Sequence, residues 1–204
     1  MSDCTRDRCP AARRVGLALL VLLVWGGAAS SLLAADRVLR LDPAATHIDF
    51  FLGTPLHDVE GSFRLKSGEI RFDDEAGTAS GEVVVELTGA RTGNGSRDET
   101  MHQEVLESQK FPLASFRFER IEGRVPVSGR GEVKLTGSLD FHGAPHSMTV
   151  PASVTVDGER LTATAELVIP FLDWGLHDPS LFLIKVQRQV KVTIRATGQL
   201  GAGS

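Results

Sequence analysis

The sequence predicts an all-β domain built of antiparallel strands with one short helix. Three observations carry that expectation. Apolar and polar residues alternate with period two through most of the chain. Turn signals recur at short intervals between the alternating runs. A single stretch, 97–107, breaks the alternation and is rich in helix formers.

The alternation is clearest in the second half. Phe116 and Phe118 alternate with Arg117 and Glu119. Val133, Leu135, Leu139 and Phe141 share one parity, as do Met148, Val150, Ala152, Val154 and Val156. Leu161, Ala163, Ala165, Leu167 and Ile169 form a further apolar row. The last and longest row runs from Phe182 through Ile184, Val186, Val190, Val192 and Ile194 to Ala196. Strands of this kind have one apolar and one wet face, as antiparallel sheets do. Lys66-Ser-Gly68, Asp73–Gly77, Ser128–Gly131, His142–Pro145 and Asp157-Gly158 read as the turns between them. The Asp-Gly pair is a hairpin signal. Short strands with one-sided patterning make a sandwich or a closed barrel.

In the exceptional stretch, Ser96 followed by Glu99 fits a capping box, and Met101, Val105 and Leu106 would share one face. Pro112 ends the segment.

The first 35 residues have a different character. Arg6, Arg8, Arg13 and Arg14 precede an uncharged apolar run, Val15–Val24, and small residues follow. These are the three parts of a secretory signal peptide. The strongly apolar centre is short for a membrane span, which takes about 20 residues. Residues 1–35 are therefore expected to be a signal peptide, with an uncleaved anchor as the alternative, and residues 36–204 the exported domain. That places the domain in the periplasm or outside the cell. Cys4 and Cys9 would leave with the leader, so the domain is expected to have neither disulfide nor thiolate chemistry. The whole chain has net charge −4, and the leader carries four of its Arg but only two of its Asp. A domain more acidic than the chain, with no basic run, is not expected to bind nucleic acid.

Nothing in the spacing marks an enzyme. There is no nucleophile elbow, no zinc-binding helix pair, no phosphate loop and no dinucleotide fingerprint. His142 and His146 stand four apart, but Gly143, Ala144 and Pro145 make that spacing a turn. They would need His57 or His177 to complete a metal site, which takes three or four ligands. No metal, cofactor or catalytic residue is expected. His102, near Asp98 and Glu99, has the makings of a general-base pair, and equally of ordinary neighbours on a polar helix face. Arg97-Asp98 at the helix start reads either as an anchor over a barrel mouth or as simple capping.

The domain has ten Phe, no Tyr and, beyond the leader, one Trp. Its inner face is thus apolar and poor in hydroxyl groups. Such an interior is either filled by its own side chains or holds a ligand. On pattern, Phe50, Phe116, Phe118, Phe141 and Trp174 are the candidate pocket residues, with Arg97 and His102 as polar groups at the mouth.

Several segments, taken in order, resemble the YceI-like family. They are Leu41–Phe50, His57-Asp-Val-Glu-Gly-Ser-Phe63, Asn94-Gly-Ser-Arg-Asp98 with Met101-His102 and Phe111-Pro112, Gly137–Gly143 with Met148-Thr-Val150, and Phe171-Leu-Asp-Trp-Gly175. Where that family often has two Phe near the helix, this chain has Val105-Leu106. The resemblance implies an exported, lipocalin-like barrel holding an isoprenoid, isoprenoid quinone or other lipid. The tail would be buried and the polar head would sit near the mouth. It further implies a monomer or homodimer that works near membrane lipids.

Overall fold

The computed structural model describes residues 36–54, 57–179 and 186–203; the expected leader lies outside them. Among these residues there are nine strands: β1 (Arg37–Leu41), β2 (His47–Leu52), β3 (Val59–Asp73), β4 (Thr78–Arg91), β5 (Leu113–Gly123), β6 (Gly129–Phe141), β7 (Ala144–Asp157), β8 (Arg160–Ile169) and β9 (Val190–Ala202). Every pairing is antiparallel. From β2 the order runs β9, β8, β7, β6, β5, β4, and β4 pairs with β3, which returns to β2. The sheet therefore closes on itself. β1 and β2 share one place in the ring, since each pairs with both β3 and β9, so the barrel has eight positions around it. Closure leaves no open sheet edge.

The alternating rows fall where they are expected. The burial of β7 and β8 follows the predicted parity, with Val150, Ala152, Val154, Val156 and Leu161 buried. The His142-Gly143 turn joins β6 to β7 with φ of 52° and 80°. Positive φ at both central residues suits the twist of a two-residue hairpin. Gly158, with φ of 60°, opens the turn from β7 to β8.

Two expectations needed correction. Lys66-Ser-Gly68 is not a turn: β3 runs through it with a register shift between Leu65 and Ser67. That bulge switches the inward parity from Phe63 and Leu65 to Ile70 and Phe72. A second bulge, between Phe118 and Arg120, makes the same switch in β5, so that Ile121 is buried. Of the last apolar row, the described residues form a strand only from Val190, and β9 continues to Ala202. Residues 180–185 lie outside the described residues, and Val186–Gln189 are not in a strand.

The interior has a closed end and an open one. At the closed end Leu39, Ile70, Phe72, Ile121, Val154 and Leu161 belong to one packed cluster. A polar clasp seals it from outside. Arg37 donates to Asp74 at 2.7 Å and to the Val125 carbonyl at 2.8 Å, while the Val125 N–H donates to the other Asp74 oxygen at 2.8 Å. Burial pushes the Asp74 carboxyl up. The hydrogen bonds from Arg37 and Val125 and the Arg37 charge outweigh it and hold the group below the ordinary carboxylate value.

A candidate apolar binding cavity

The open half of the barrel holds a cavity of about 550 Å³. Its walls are the upper inward rows of the strands: Val190, Val192 and Ile194 from β9, Leu167 and Ile169 from β8, and their counterparts around the ring. The volume lies within the usual range for small-molecule sites, about 300–1,000 Å³.

The polarity of the lining is segregated. Thr92, Asn94, Ser96, Arg97 and Thr100 are its polar members, and all come from one stretch between β4 and the end of the helix. Every other lining residue among those described is apolar. Arg97 is the one charged group among them. This is the arrangement a site needs for an apolar body with one polar end.

The local sequence builds that polar corner. The helix α1 (Gly95–Thr100) is capped by Asn94, whose side chain accepts from the Arg97 N–H. The expected cap at Ser96 is therefore displaced by two residues. Asn competes for the cap because its short carbonyl reaches the third helical N–H from an extended backbone. Thr92 ties the corner together. Its N–H and hydroxyl both donate to Asp98, at 2.7 and 2.5 Å. Arg97 donates through Nε to the Thr92 hydroxyl at 2.9 Å and through Nη2 to the Thr92 carbonyl at 3.1 Å. The Thr92 hydroxyl holds the Asp98 carboxyl below its ordinary value. The Thr92 N–H and the Arg97 charge add to this, against the effect of burial. Arg97 is thus anchored by its inner nitrogens at the edge of the cavity.

After α1 the chain widens into a π-helical turn, Met101–Val105, closed by the Leu106 N–H on the Met101 carbonyl at 2.8 Å. A wider turn places the residues four and five after Met101 astride its own face. Met101, Val105 and Leu106 accordingly all reach the cavity. The shared face expected from the sequence is present, produced by π rather than α geometry.

The candidate residues divide into three groups. Phe50, Phe141 and Arg97 line the cavity. Phe50 lies across Gly61, where a Cβ would fall 2.3 Å from its Cζ, and its ring tilts against Phe63 at 4.9 Å. Phe116 and Phe118 face inward but below the cavity, edge to face at 5.0 Å, with Phe118 packed on the closed-end cluster. Trp174 is not among the lining residues; it lies 6.3 Å from Phe141 and stacks on His146.

His102 is not at the mouth. Its Nε2–H donates to the Ala90 carbonyl at 3.0 Å, and its Nδ1 accepts from the buried Ser108 hydroxyl at 2.9 Å. A carbonyl only accepts, which sets the tautomer. Nε2 joins the π-helical segment to β4, and Nδ1 ties it to Ser108 just beyond it. The remaining histidines do not converge either. His142 Nε2 lies 2.8 Å from Glu107, His177 faces Glu104 at 3.9 Å, and His57 is exposed. Among the described residues no three metal-ligating side chains gather.

Sequence reasoning missed Phe63, Phe171 and Leu176. Phe63 was legible, because it continues the parity of Leu65. Phe171 and Leu176 were not, since they lie in an irregular segment whose side chains follow no period.

Comparisons with known proteins agree with this architecture. The model of the YceI-like domain matches residues 39–198. Two curated relatives, UPF0312 proteins of Vibrio campbellii and Vibrio parahaemolyticus, are 27% identical over 142 residues, covering 67% of this chain and 69% of theirs. Among solved structures, a polyisoprenoid binding domain from Saccharophagus degradans implicated in plant cell wall breakdown superposes with a TM-score of 0.62. It is 19% identical and is covered to 98% by 80% of this chain. Burkholderia cenocepacia BcnA superposes with a TM-score of 0.64, at 19% identity over 77% of this chain and 98% of its own. With its closed antiparallel barrel and a family match over nearly all the described residues, this chain belongs to the family of YceI-like domains.

Proposed function

We propose that this protein binds the apolar tail of an isoprenoid, isoprenoid quinone or other lipid inside its barrel, in the periplasm or outside the cell. The cavity carries the reading: an apolar space of about 550 Å³ whose polar lining is confined to one corner. A barrel serving only as a structural element has no need of such a space, since interiors ordinarily pack to near crystal density. Burial of each tail methylene contributes roughly 0.8 kcal/mol, so a modest chain is enough for tight binding. The Saccharophagus degradans domain, described as polyisoprenoid binding, supports the choice of ligand class. The signal-like leader supports the location. Binding, rather than catalysis, fits histidines that are dispersed or committed to structural partners.

The test is to purify the protein from its own cells, extract it with organic solvent and identify what is released by mass spectrometry. Titration of emptied protein with prenols and quinones, followed by Trp174 emission, completes it. A stoichiometric apolar-tailed lipid is the expected result. An empty barrel that takes up none of these probes would refute the proposal.

A further inference from the structure

The cavity stops halfway down the barrel, and one side chain marks the stop. Along the walls the last lining residues are Val85 on β4, Ala114 on β5, Leu139 on β6, Leu167 on β8 and Ile194 on β9. The next inward residues below them are Val83, Phe116, Gly137, Ala165 and Ala196. Of these five residues only Phe116 carries a ring. Phe116 is paired with Leu139 and Val83, both inward-facing, so its side chain projects into the barrel. Its Cζ lies over Gly137, where a Cβ would come within 2.9 Å of it. It meets Phe118 edge to face, and Phe118 is packed into the closed-end cluster.

We propose that Phe116 is the depth stop of the cavity, a specificity-determining residue that sets how long an apolar chain the barrel accepts. The proposal rests on the lipid-binding reading above and adds a length limit to it. Gly137 is part of the device, because its missing side chain makes room for the ring to lie across the barrel. The wall from Val190 to Ile194 covers roughly 13 Å along a tilted strand. A chain longer than this depth must fold back or leave its end outside. Affinity therefore rises along a homologous series while each added methylene is buried, by about fourfold per methylene. It levels off once the chain touches Phe116.

The experiment titrates full-length, delipidated protein with a series of straight-chain fatty acids, short to long, and in parallel with geraniol, farnesol and geranylgeraniol. Wild type should show a break at one chain length. Phe116→Ala and the milder Phe116→Leu should move the break to longer chains. Val85→Phe, which adds a ring just above the floor in empty space, should move it to shorter ones. Thermal unfolding and Trp174 emission verify folding, and Val85→Phe decides alone if both Phe116 variants fail to fold. If wild type binds with a break that none of the folded variants moves, the depth stop is wrong and the lipid-binding reading stands. If no protein binds any member of either series, both are wrong.

Discussion

His146 lies flat against Trp174, with ring centroids 3.7 Å apart and planes 9° from parallel. His146 is directly opposite Leu139, so it belongs to the inner face of β7 near the mouth. The stack holds the irregular segment after β8 against that face. The His146 Nε2 is buried and has no hydrogen-bond partner, and a buried polar atom in that state costs about 1–3 kcal/mol. The contact is thus favourable through its surfaces and unfavourable through its nitrogen.

Two substitutions separate these effects. His146→Phe keeps the stack and removes the orphaned nitrogen, and is expected to leave stability unchanged or raise it by about 1 kcal/mol. His146→Ala removes the stack and should cost about 1 kcal/mol or more. Chemical denaturation followed by Trp174 emission measures both. A destabilised His146→Phe protein would show that Nε2 has a partner in solution.

The clasp at the closed end predicts a pH dependence. The Asp74 carboxyl lies below its ordinary value of 3.8 in the folded protein. Its contribution is therefore complete above that value and is lost as pH falls through the lower, folded one. Asp74→Asn should reduce stability at neutral pH by about 1.5–3 kcal/mol, the range for hydrogen bonds to a charged group. The same change should flatten the loss of stability on acidification. Denaturation curves from neutral to strongly acid pH test this, and an unchanged acid slope would count against it.

His102 joins the π-helical segment to β4 through Ala90 and to the following turn through Ser108. In His102→Ala the Ala90 carbonyl and the buried Ser108 hydroxyl lose their partner, a cost of about 2 kcal/mol. Amide exchange should quicken through 100–108 and much less in β7 and β8. A uniform change across the barrel would mean that His102 supports the whole fold rather than this junction.

Arg97→Met tests the polar corner. It keeps most of the apolar stem and removes the charge, so lipids with a polar head should bind about tenfold more weakly. Hydrocarbon analogues without a head group should bind as before. Equal weakening of both classes would mean that Arg97 only shapes the wall.

Gly61→Ala tests the wall itself. The added methyl would fall 2.3 Å from Phe50 Cζ and 2.6 Å from the Arg91 carbonyl. The expected loss is about 1–3 kcal/mol, with partial recovery in Gly61→Ala/Phe50→Leu. The double-mutant cycle gives the coupling, and strict additivity would show that the backbone contact alone is responsible.

The sequence by itself determined the strand rows, the hairpins at His142-Gly143 and Gly158, and the single helical break. Period-two patterning and turn chemistry are local and survive without tertiary context. It also pointed to Arg97 and to two of the four aromatic lining residues, Phe50 and Phe141. Tertiary structure decided the rest. Bulges at Lys66-Ser67 and near Glu119 reverse the inward parity, and no local signal says whether such a site bends a strand or ends it. Phe50, Phe116 and Phe118 look alike as alternating aromatic residues. Only closure of the ring shows that Phe50 lines the cavity while Phe116, beside Gly137, does not. Depth within a barrel depends on strand stagger, which is a property of all the strands together. For the same reason His102 read as a mouth residue until β4 and Ser108 were placed on either side of its ring.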